Sequence, residues 1–183
     1  MEESKINKAA DILYNSRINI KRIKELPKDC TPKSFQEAYA IQDELTKRYL
    51  LEGKKTLVIG KKIGCTNEAA KIQLNINDSF FGNMFSDNIS KSNAIINPNK
   101  YFSPFVEPEF SFLMKNELDI SKAPYSSEIV YESILAVFPS IELVDSRYED
   151  WTTIGVNNLI ADNAVHAHWV YGEGTEELNL FNF

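Results

Sequence analysis

Hydrophobic positions recur with a helical period in two stretches of the N-terminal third of the chain. From about residue 3 to residue 16 they fall roughly 3.6 residues apart, which predicts an amphipathic helix on Ile6, Ala9, Ala10, Ile12 and Leu13. The second stretch runs to about Leu51 and begins with a capping box, Ser34-Phe35-Gln36-Glu37, while Gly53 is a natural helix terminator. We therefore expect two helices joined by a basic linker.

Apolar runs of strand length follow after residue 55. They predict strands over residues 56–66, 94–96, 105–114, 140–144 and 165–172. Short helices are expected over 66–74, with Thr66 as the N-cap, and near 127–133, while residues 157–164 are expected to form a short helix or a loop. Phe80-Phe81-Gly82 comes after a turn-rich segment and is expected to close a loop.

Two of the apolar runs contain carboxylates. Glu107 and Glu109 lie two residues apart, so a strand would project both from one face, and Glu142 lies in the later run. Converging carboxylates repel one another unless a cation lies between them, and oxygen ligands suit a hard divalent ion, magnesium first, with manganese or calcium as alternatives. The same spacing is also typical of a strand with one solvent-exposed face, and Pro108 favours an edge strand.

Two further pairs of polar residues interrupt apolar strands. Only one of Lys61 and Lys62 can point inward, where it would face the carboxylates as an acid or as an anchor for an anionic substrate; alternatively, both lie in solvent near the strand end. His166 and His168 share a face of the last strand, where they could bind a transition metal. Because no third soft ligand accompanies them, we expect them to be half-exposed strand residues.

Composition and charge restrict the class of protein. A length of 183 residues suits one domain, or one domain and a fragment, and the net charge of −6 argues against nucleic acid as a partner. No apolar run reaches membrane-spanning length and the first residues lack a signal-peptide core, so we expect a cytoplasmic protein without a membrane partner. Cys30 and Cys65 lack CxxC spacing, which indicates free thiols in a reducing compartment.

Six short motifs follow one another from about residue 35. They are Ala38-Tyr39-Ala40-Ile41-Gln42, Gly60-Lys61-Lys62-Ile63-Gly64-Cys65-Thr66, Val106-Glu107-Pro108-Glu109, Glu142-Leu143-Val144-Asp145-Ser146-Arg147, Asp150-Trp151 and Ala161-Asp162-Asn163-Ala164. Each motif is weak alone. In this order and with similar gaps, the set resembles the 2-keto-4-pentenoate hydratase / 4-oxalocrotonate decarboxylase family of the fumarylacetoacetate-hydrolase-like superfamily.

This resemblance implies an α+β fold, a mixed β-roll or barrel of the fumarylacetoacetate-hydrolase type with N-terminal and peripheral helices. Residues 1–54 would form the N-terminal helical region, and residues 55–183 a partial barrel that carries the catalytic site. The resemblance further implies Mg²⁺ or Mn²⁺ bound by Glu107, Glu109 and Glu142, with Lys62 as the catalytic lysine.

The implied activity is that of a lyase in aromatic compound catabolism, acting on a short 2-oxo acid or 2-hydroxydienoate through a metal-stabilised enolate. A hydratase, which is a carbon–oxygen lyase, is expected ahead of a 4-oxalocrotonate-type decarboxylase. Arg147 would bind a substrate carboxylate or serve as a structural salt-bridge partner, and Asp162 with Asn163 would shape the substrate site or cap a turn. A homo-oligomer is also expected.

Two departures from the family pattern bear on activity. Phe80 stands where the hydratases carry an Asp, which removes a candidate acid or base for hydration and shifts weight toward decarboxylation. The chain also stops soon after its Ala161-Asp162-Asn163-Ala164 motif, so we expect the C-terminal third of the barrel to be missing. The alternative function is therefore that of a truncated, weakly active or inactive homologue acting as a binding or partner subunit. A carbon–carbon hydrolase is disfavoured, because it would need a histidine–glutamate dyad near the N-terminus.

Overall fold

The two N-terminal helices form as predicted in the computed structural model, which describes residues 1–51 and 57–180. α1 spans Glu3–Ile18 and α2 spans Phe35–Leu51. The Ser34 hydroxyl accepts a hydrogen bond from the Glu37 amide at 3.2 Å, while the Glu37 carboxylate accepts from the Lys33 amide at 2.8 Å instead of reaching the amide of Ser34. The predicted terminator, Gly53, lies outside the described residues.

Six strands lie within the described residues and form two sheets. They are β1 (Val58–Gly64), β2 (Phe80–Phe85), β3 (Ile89–Lys91), β4 (Phe105–Met114), β5 (Ile134–Val144) and β6 (His166–Tyr171). β1 and β2 form an antiparallel pair, and the other four strands are ordered β3-β6-β5-β4. Because β3 runs parallel to β6 while the remaining pairs are antiparallel, the larger sheet is mixed.

Three short helices connect these strands. They are α3 (Glu68–Leu74), α4 (Ser127–Glu132) and α5 (Val156–Ala161). Together with the mixed sheet they confirm the expected α+β class. Across residues 1–51 and 57–180, no helix is both long and apolar enough to span a membrane.

Three local predictions are wrong. Phe80-Phe81-Gly82 begins β2 instead of closing a loop, because β1 pairs with it and the Phe80 ring is buried in the core. The strand expected over 94–96 lies instead at Ile89–Lys91, where β6 offers a pairing partner. Asn67, not Thr66, caps α3: its side-chain oxygen accepts from the Ala70 amide at 2.9 Å.

The largest hydrophobic core joins the N-terminal helices to β2 and α5. Its buried members include Ala9, Leu13, Ala38, Ile41, Leu45, Phe80, Tyr148 and Ile160. Burial of each Leu or Ile contributes about 1.5–3 kcal/mol. The core therefore draws on both predicted regions, 1–54 and 55–183, and their division into domains stays a prediction.

Gln42 provides a polar link through this core. Its buried side-chain amide donates to the carbonyl oxygen of Phe81 at 3.0 Å and to that of Ile160 at 2.9 Å. One residue of α2 thus fixes β2 and α5 relative to the helix.

Candidate functional site

Three carboxylates meet on one face of the larger sheet. The β4–β5 register places Glu107 directly opposite Glu142, and Glu109 lies one strand period further along β4. Each carboxylate offers one oxygen, and these three oxygens all lie within 4.8 Å of one another. Glu142 is buried, with 5% of its surface exposed, while Glu107 and Glu109 are exposed.

The lysine pair splits between two environments. The Lys62 ammonium lies 3.3 Å from Glu142 Oε2, and its side chain is only 9% exposed. Lys61 hydrogen-bonds Asn83 and lies over the Phe81 ring, 4.8 Å from its centroid. Of the two alternatives left open by the sequence, the one in which a single lysine faces the carboxylates is therefore confirmed.

Negative charge dominates the centre of this cluster. Burial raises the pKa of Glu109, and the nearby carboxylates of Glu142 and Glu107 raise it further, while Lys62 opposes them. Three carboxylates thus share one nearby ammonium. A set of oxygen donors with excess negative charge fits a hard divalent cation such as Mg²⁺, Mn²⁺ or Ca²⁺.

A cleft of about 380 Å³ opens beside the carboxylates. Lys62, Glu107 and Glu109 line it, together with the apolar side chains of Phe80, Phe105 and Trp151. Trp151 packs edge-on against Phe105, with their ring centroids 5.8 Å apart. The polar groups of the site therefore meet an apolar wall, which is the usual construction of a small-molecule site.

The sequence predictions missed several polar residues of this cleft. Cys65 and Asn67, in the connection from β1 to α3, and Gln73 within α3 line it. Cys65 adopts a left-handed backbone conformation, with φ +58°, and burial raises the pKa of its thiol. The sequence signal for Cys65 is its place in the same short motif as Lys62, whereas Asn67 and Gln73 lie outside every motif named above.

The prediction that His166 and His168 are half-exposed is wrong. Both are buried, and β2 and the turn at residues 86–88 pack against β6. His166 Nδ1 lies 2.7 Å from Glu142 Oε1, whereas His168 Nε2 lies 3.0 Å from the Ser90 hydroxyl. Burial lowers the pKa of both imidazoles. His166 lies on β6 and Glu142 on β5, so the contact between them depends on how these strands pair and could not be predicted from local sequence patterns.

Arg147 and Asp162 lie in a buried ionic network instead of lining the cleft. The Arg147 guanidinium pairs with Asp145 and lies 4.9 Å from the centroid of the Phe102 ring. Burial, and then the nearby Arg17, lower the pKa of Arg147 to about 10. Asp162 accepts from the Arg147 amide at 2.8 Å and from the Arg17 guanidinium at 3.3 Å. These contacts favour the structural alternative for both residues.

Asn163 ties β2 to the turn that precedes β6. Its side chain accepts from the Asn83 amide at 2.7 Å and donates to the Asn83 carbonyl at 2.9 Å. Gly82 lies against this turn so closely that a Cβ atom there would stand 2.4 Å from the Asn163 carbonyl oxygen. Both polar atoms of the Asn163 side chain, Oδ1 and Nδ2, thus form hydrogen bonds within the fold, and substrate binding by this residue stays a prediction.

Comparison with known proteins finds chains of similar sequence and fold. No model of a protein family matches the chain. A 2-hydroxypent-2,4-dienoate hydratase of Pseudomonas putida is 30% identical over 174 residues, which cover 94% of this chain and 76% of the relative. The chain spans 49%, 50% and 64% of the length of three other curated hydratases that it matches.

Two solved structures of the 4-oxalocrotonate decarboxylase from Pseudomonas putida G7 share the fold. The one complexed with magnesium and adipate has a TM-score of 0.86 at 24% identity and covers 94% of this chain and 64% of that protein. The one complexed with calcium and acetate has a TM-score of 0.82 at 25% identity, with 94% and 63% covered.

Proposed function

This chain belongs to the 2-keto-4-pentenoate hydratase / 4-oxalocrotonate decarboxylase family, and on that premise we propose that it is a divalent-metal-dependent lyase acting on a short 2-oxo acid or 2-hydroxydienoate. The observation that carries the proposal is the meeting of Glu107, Glu109 and Glu142 with Lys62, beside a cleft that Lys62, Glu107 and Glu109 line. The proposed fold type is that of the fumarylacetoacetate hydrolases.

Glu107, Glu109 and Glu142 would hold the cation, Mg²⁺ or Mn²⁺. Their oxygens are close enough together to share one ion, and their mutual repulsion supports a positive charge between them. When bound, such an ion would stabilise the negative charge that develops on the keto oxygen of a 2-oxo acid. The solved decarboxylase structures of the same fold were complexed with magnesium and adipate or with calcium and acetate, which supports a divalent metal and a small carboxylic acid as ligands of this fold.

Lys62 would act on the substrate next to this centre. Its ammonium group reaches the buried Glu142 carboxylate, so it points into the site with its charge partly balanced. From that position it can bind a substrate carboxylate or deliver a proton to the carbon skeleton. Because its side chain is almost fully buried, bulk water competes little for its hydrogen bonds.

The cleft sets the size and chemistry of the substrate. A volume of about 380 Å³ suits a small molecule. Phe80, Phe105 and Trp151 present apolar surface to it, which fits the hydrocarbon part of a short dienoate or oxo acid.

Phe80 bears on the choice between hydration and decarboxylation. Its ring is 4% exposed and lines the cleft, and a phenyl group can neither donate nor accept a proton. Hydration requires addition of water and proton transfers, whereas decarboxylation releases carbon dioxide and needs one proton afterwards. Phe80 therefore favours the decarboxylase reaction within a family that includes both.

Phe80 also favours a second candidate function, that of a weakly active or inactive binding subunit. In that case the carboxylates would still bind a cation while turnover is lost. Metal binding without turnover therefore separates this candidate from the lyase.

A spectrophotometric assay tests the proposal. The chain, freed of metal and then supplied with Mg²⁺ or Mn²⁺, is given 2-hydroxypenta-2,4-dienoate or 4-oxalocrotonate. A metal-dependent decrease in the absorbance of either substrate supports the lyase. A chelator and the substitution Glu107→Gln should both abolish this decrease. Metal binding without turnover of either substrate would support the binding subunit and contradict the lyase.

A further inference from the structure

The two oxygens of Glu142 have different partners. Oε1 lies 2.7 Å from His166 Nδ1, and Oε2 lies 3.3 Å from Lys62 Nζ. The imidazole is 1% exposed. Among the three clustered carboxylates, Glu142 is therefore the one whose orientation the protein fixes from within.

The contact defines which nitrogen of His166 carries hydrogen. An ionised carboxylate only accepts hydrogen bonds, so Nδ1 must donate. Nε2 is buried and has no hydrogen-bond partner among the described residues. A hydrogen on Nε2 would be a buried donor without an acceptor, which is costly, so the Nδ1–H tautomer is the one that fits.

The burial of Nε2 also limits what His166 can do. Solvent does not reach this atom, and His166 is absent from the residues that line the cleft. The imidazole therefore acts on Glu142 alone and cannot take a proton from a substrate or a water molecule in the cleft.

A carboxylate held in this way favours ligation of a metal ion through one oxygen. The imidazole takes up a lone pair of Oε1 and fixes its direction at 2.7 Å, whereas the longer 3.3 Å contact with Lys62 leaves Oε2 as the more available ligand atom. Ca²⁺ takes six to eight oxygen ligands and often binds a carboxylate through both of its oxygens. Mg²⁺ is smaller and requires nearly ideal octahedral coordination, in which each carboxylate contributes one oxygen. Fixing one oxygen of Glu142 thus affects the two ions differently.

The backbone makes this arrangement rigid. His166 begins β6 opposite Val144, beside the register shift between Leu143 and Val144. It follows three residues with a positive φ, Asn163, Ala164 and Val165. The Asn163 side chain forms hydrogen bonds with the backbone of Asn83 on β2. The imidazole is therefore placed by strand pairing and an anchored turn, not by a flexible loop.

We infer that His166 is a positioning residue that keeps Glu142 a one-oxygen ligand and so biases the metal centre toward Mg²⁺ and Mn²⁺ over Ca²⁺. The inference rests on the proposed function, because it requires that the three carboxylates bind a metal ion. Nothing in the three-carboxylate set alone distinguishes these ions, since all three accept oxygen ligands.

Calorimetric titration of the full chain with Mg²⁺ and with Ca²⁺ tests the inference, using three variants. His166→Leu should weaken Mg²⁺ binding by about 10- to 100-fold, which is usual when the partner of a metal ligand is removed. Ca²⁺ binding should weaken less, because the released oxygen becomes available to it, so the ratio of the two affinities should shift toward Ca²⁺ by about tenfold or more. His166→Asn keeps a donor near the position of Nδ1 and should resemble the wild type.

His168→Leu is the matched control. It removes a second buried imidazole from the same strand, but that imidazole contacts Ser90 and none of the three carboxylates. Its Mg²⁺ and Ca²⁺ affinities should equal those of the wild type. An equal shift in both histidine variants would overturn the inference, because it would show a general effect of disturbing β6.

Failure of this inference can be told apart from failure of the proposed function. If the wild type binds neither ion, the metal site and the role of His166 are both wrong. If the wild type binds Mg²⁺ and Glu107→Gln weakens that binding, but His166→Leu leaves the ratio of affinities unchanged, only the role of His166 is wrong.

A measurement on the unmodified protein covers the case in which His166→Leu does not fold. Long-range ¹H–¹⁵N spectra distinguish the two neutral tautomers of a histidine. We expect the Nδ1–H form for His166. The Nε2–H form would overturn the inference, since that tautomer cannot donate to Glu142.

Discussion

Lys62 and Lys61 show how one residue position decides chemistry in this protein. The two side chains are neighbours in sequence and carry the same charge, yet β1 points them to opposite faces. One reaches the Glu142 carboxylate and the other hydrogen-bonds Asn83. The alternation of a strand therefore assigns them different roles without any difference in residue type.

Replacing each lysine by methionine tests this difference. Lys62→Met should lower turnover by about 10²- to 10⁴-fold, the usual contribution of a group that transfers a proton. Its Mg²⁺ affinity should not fall, because loss of a positive charge beside a cation site removes repulsion. Lys61→Met is the matched control and should keep turnover and metal affinity close to the wild type. Steady-state kinetics and calorimetry measure the two quantities, and equal loss of turnover in both variants would contradict the assignment.

At the scale of elements, the site depends on a close contact between β2 and the turn before β6. A side chain at Gly82 would meet the Asn163 carbonyl oxygen. The side-chain oxygen of Asn163 accepts a hydrogen bond from the Asn83 amide, and its side-chain nitrogen donates one to the Asn83 carbonyl. This contact fixes where β6 begins, and with it the position of His166 beside Glu142. β2 thus supports the carboxylate cluster although it contributes none of its ligands.

Gly82→Ala should therefore destabilise the protein, by about 1–3 kcal/mol, as is usual when an extra methyl group is forced into a packed region. Gly60→Ala is the control, since a Cβ there would meet only the Met84 sulfur at an ordinary 3.7 Å. Thermal or denaturant unfolding gives both values. A Gly82→Ala variant as stable as Gly60→Ala would show that the contact is looser than described.

The elements also show what the sequence could and could not predict. The spacing of Glu107 and Glu109 places them on one face of a strand, because that follows from local geometry. The opposition of Glu142 to Glu107 depends on how β4 and β5 pair, and the sequence supported it only through the family resemblance. The burial of His166 depends on β2, a strand of the other sheet, packing against β6, and Phe80 belongs to a strand only because β1 pairs with it.

At the scale of the whole molecule, one face of the larger sheet exposes apolar side chains. Val106, Phe110 and Ile141 are each exposed by 44% or more on β4 and β5. In the β4–β5 register, Ile141 lies opposite Pro108, one strand period from Val106, so the three residues share a face. Clustered apolar exposure of this kind is typical of a surface that contacts another protein.

We expect a second copy of the chain to cover this face, so that the protein is a homo-oligomer. Ile141→Lys should shift the protein toward monomer in sedimentation velocity, because a charge would be buried at the contact. Ile95→Lys is the control: Ile95 is 99% exposed and lies outside the two sheets. A wild type that sediments as a monomer at micromolar concentration would contradict the expectation.

The account as a whole depends on one property, the binding of a divalent cation by three glutamates. Calorimetric titration of Mg²⁺ into the metal-free chain measures it directly, with Glu107→Gln as the test and Glu149→Gln, an exposed glutamate outside the cluster, as the control. We predict one bound ion per chain in the wild type and in Glu149→Gln, and at least about tenfold weaker binding in Glu107→Gln. Absence of binding in the wild type, or equal affinity in Glu107→Gln, would contradict the central claim.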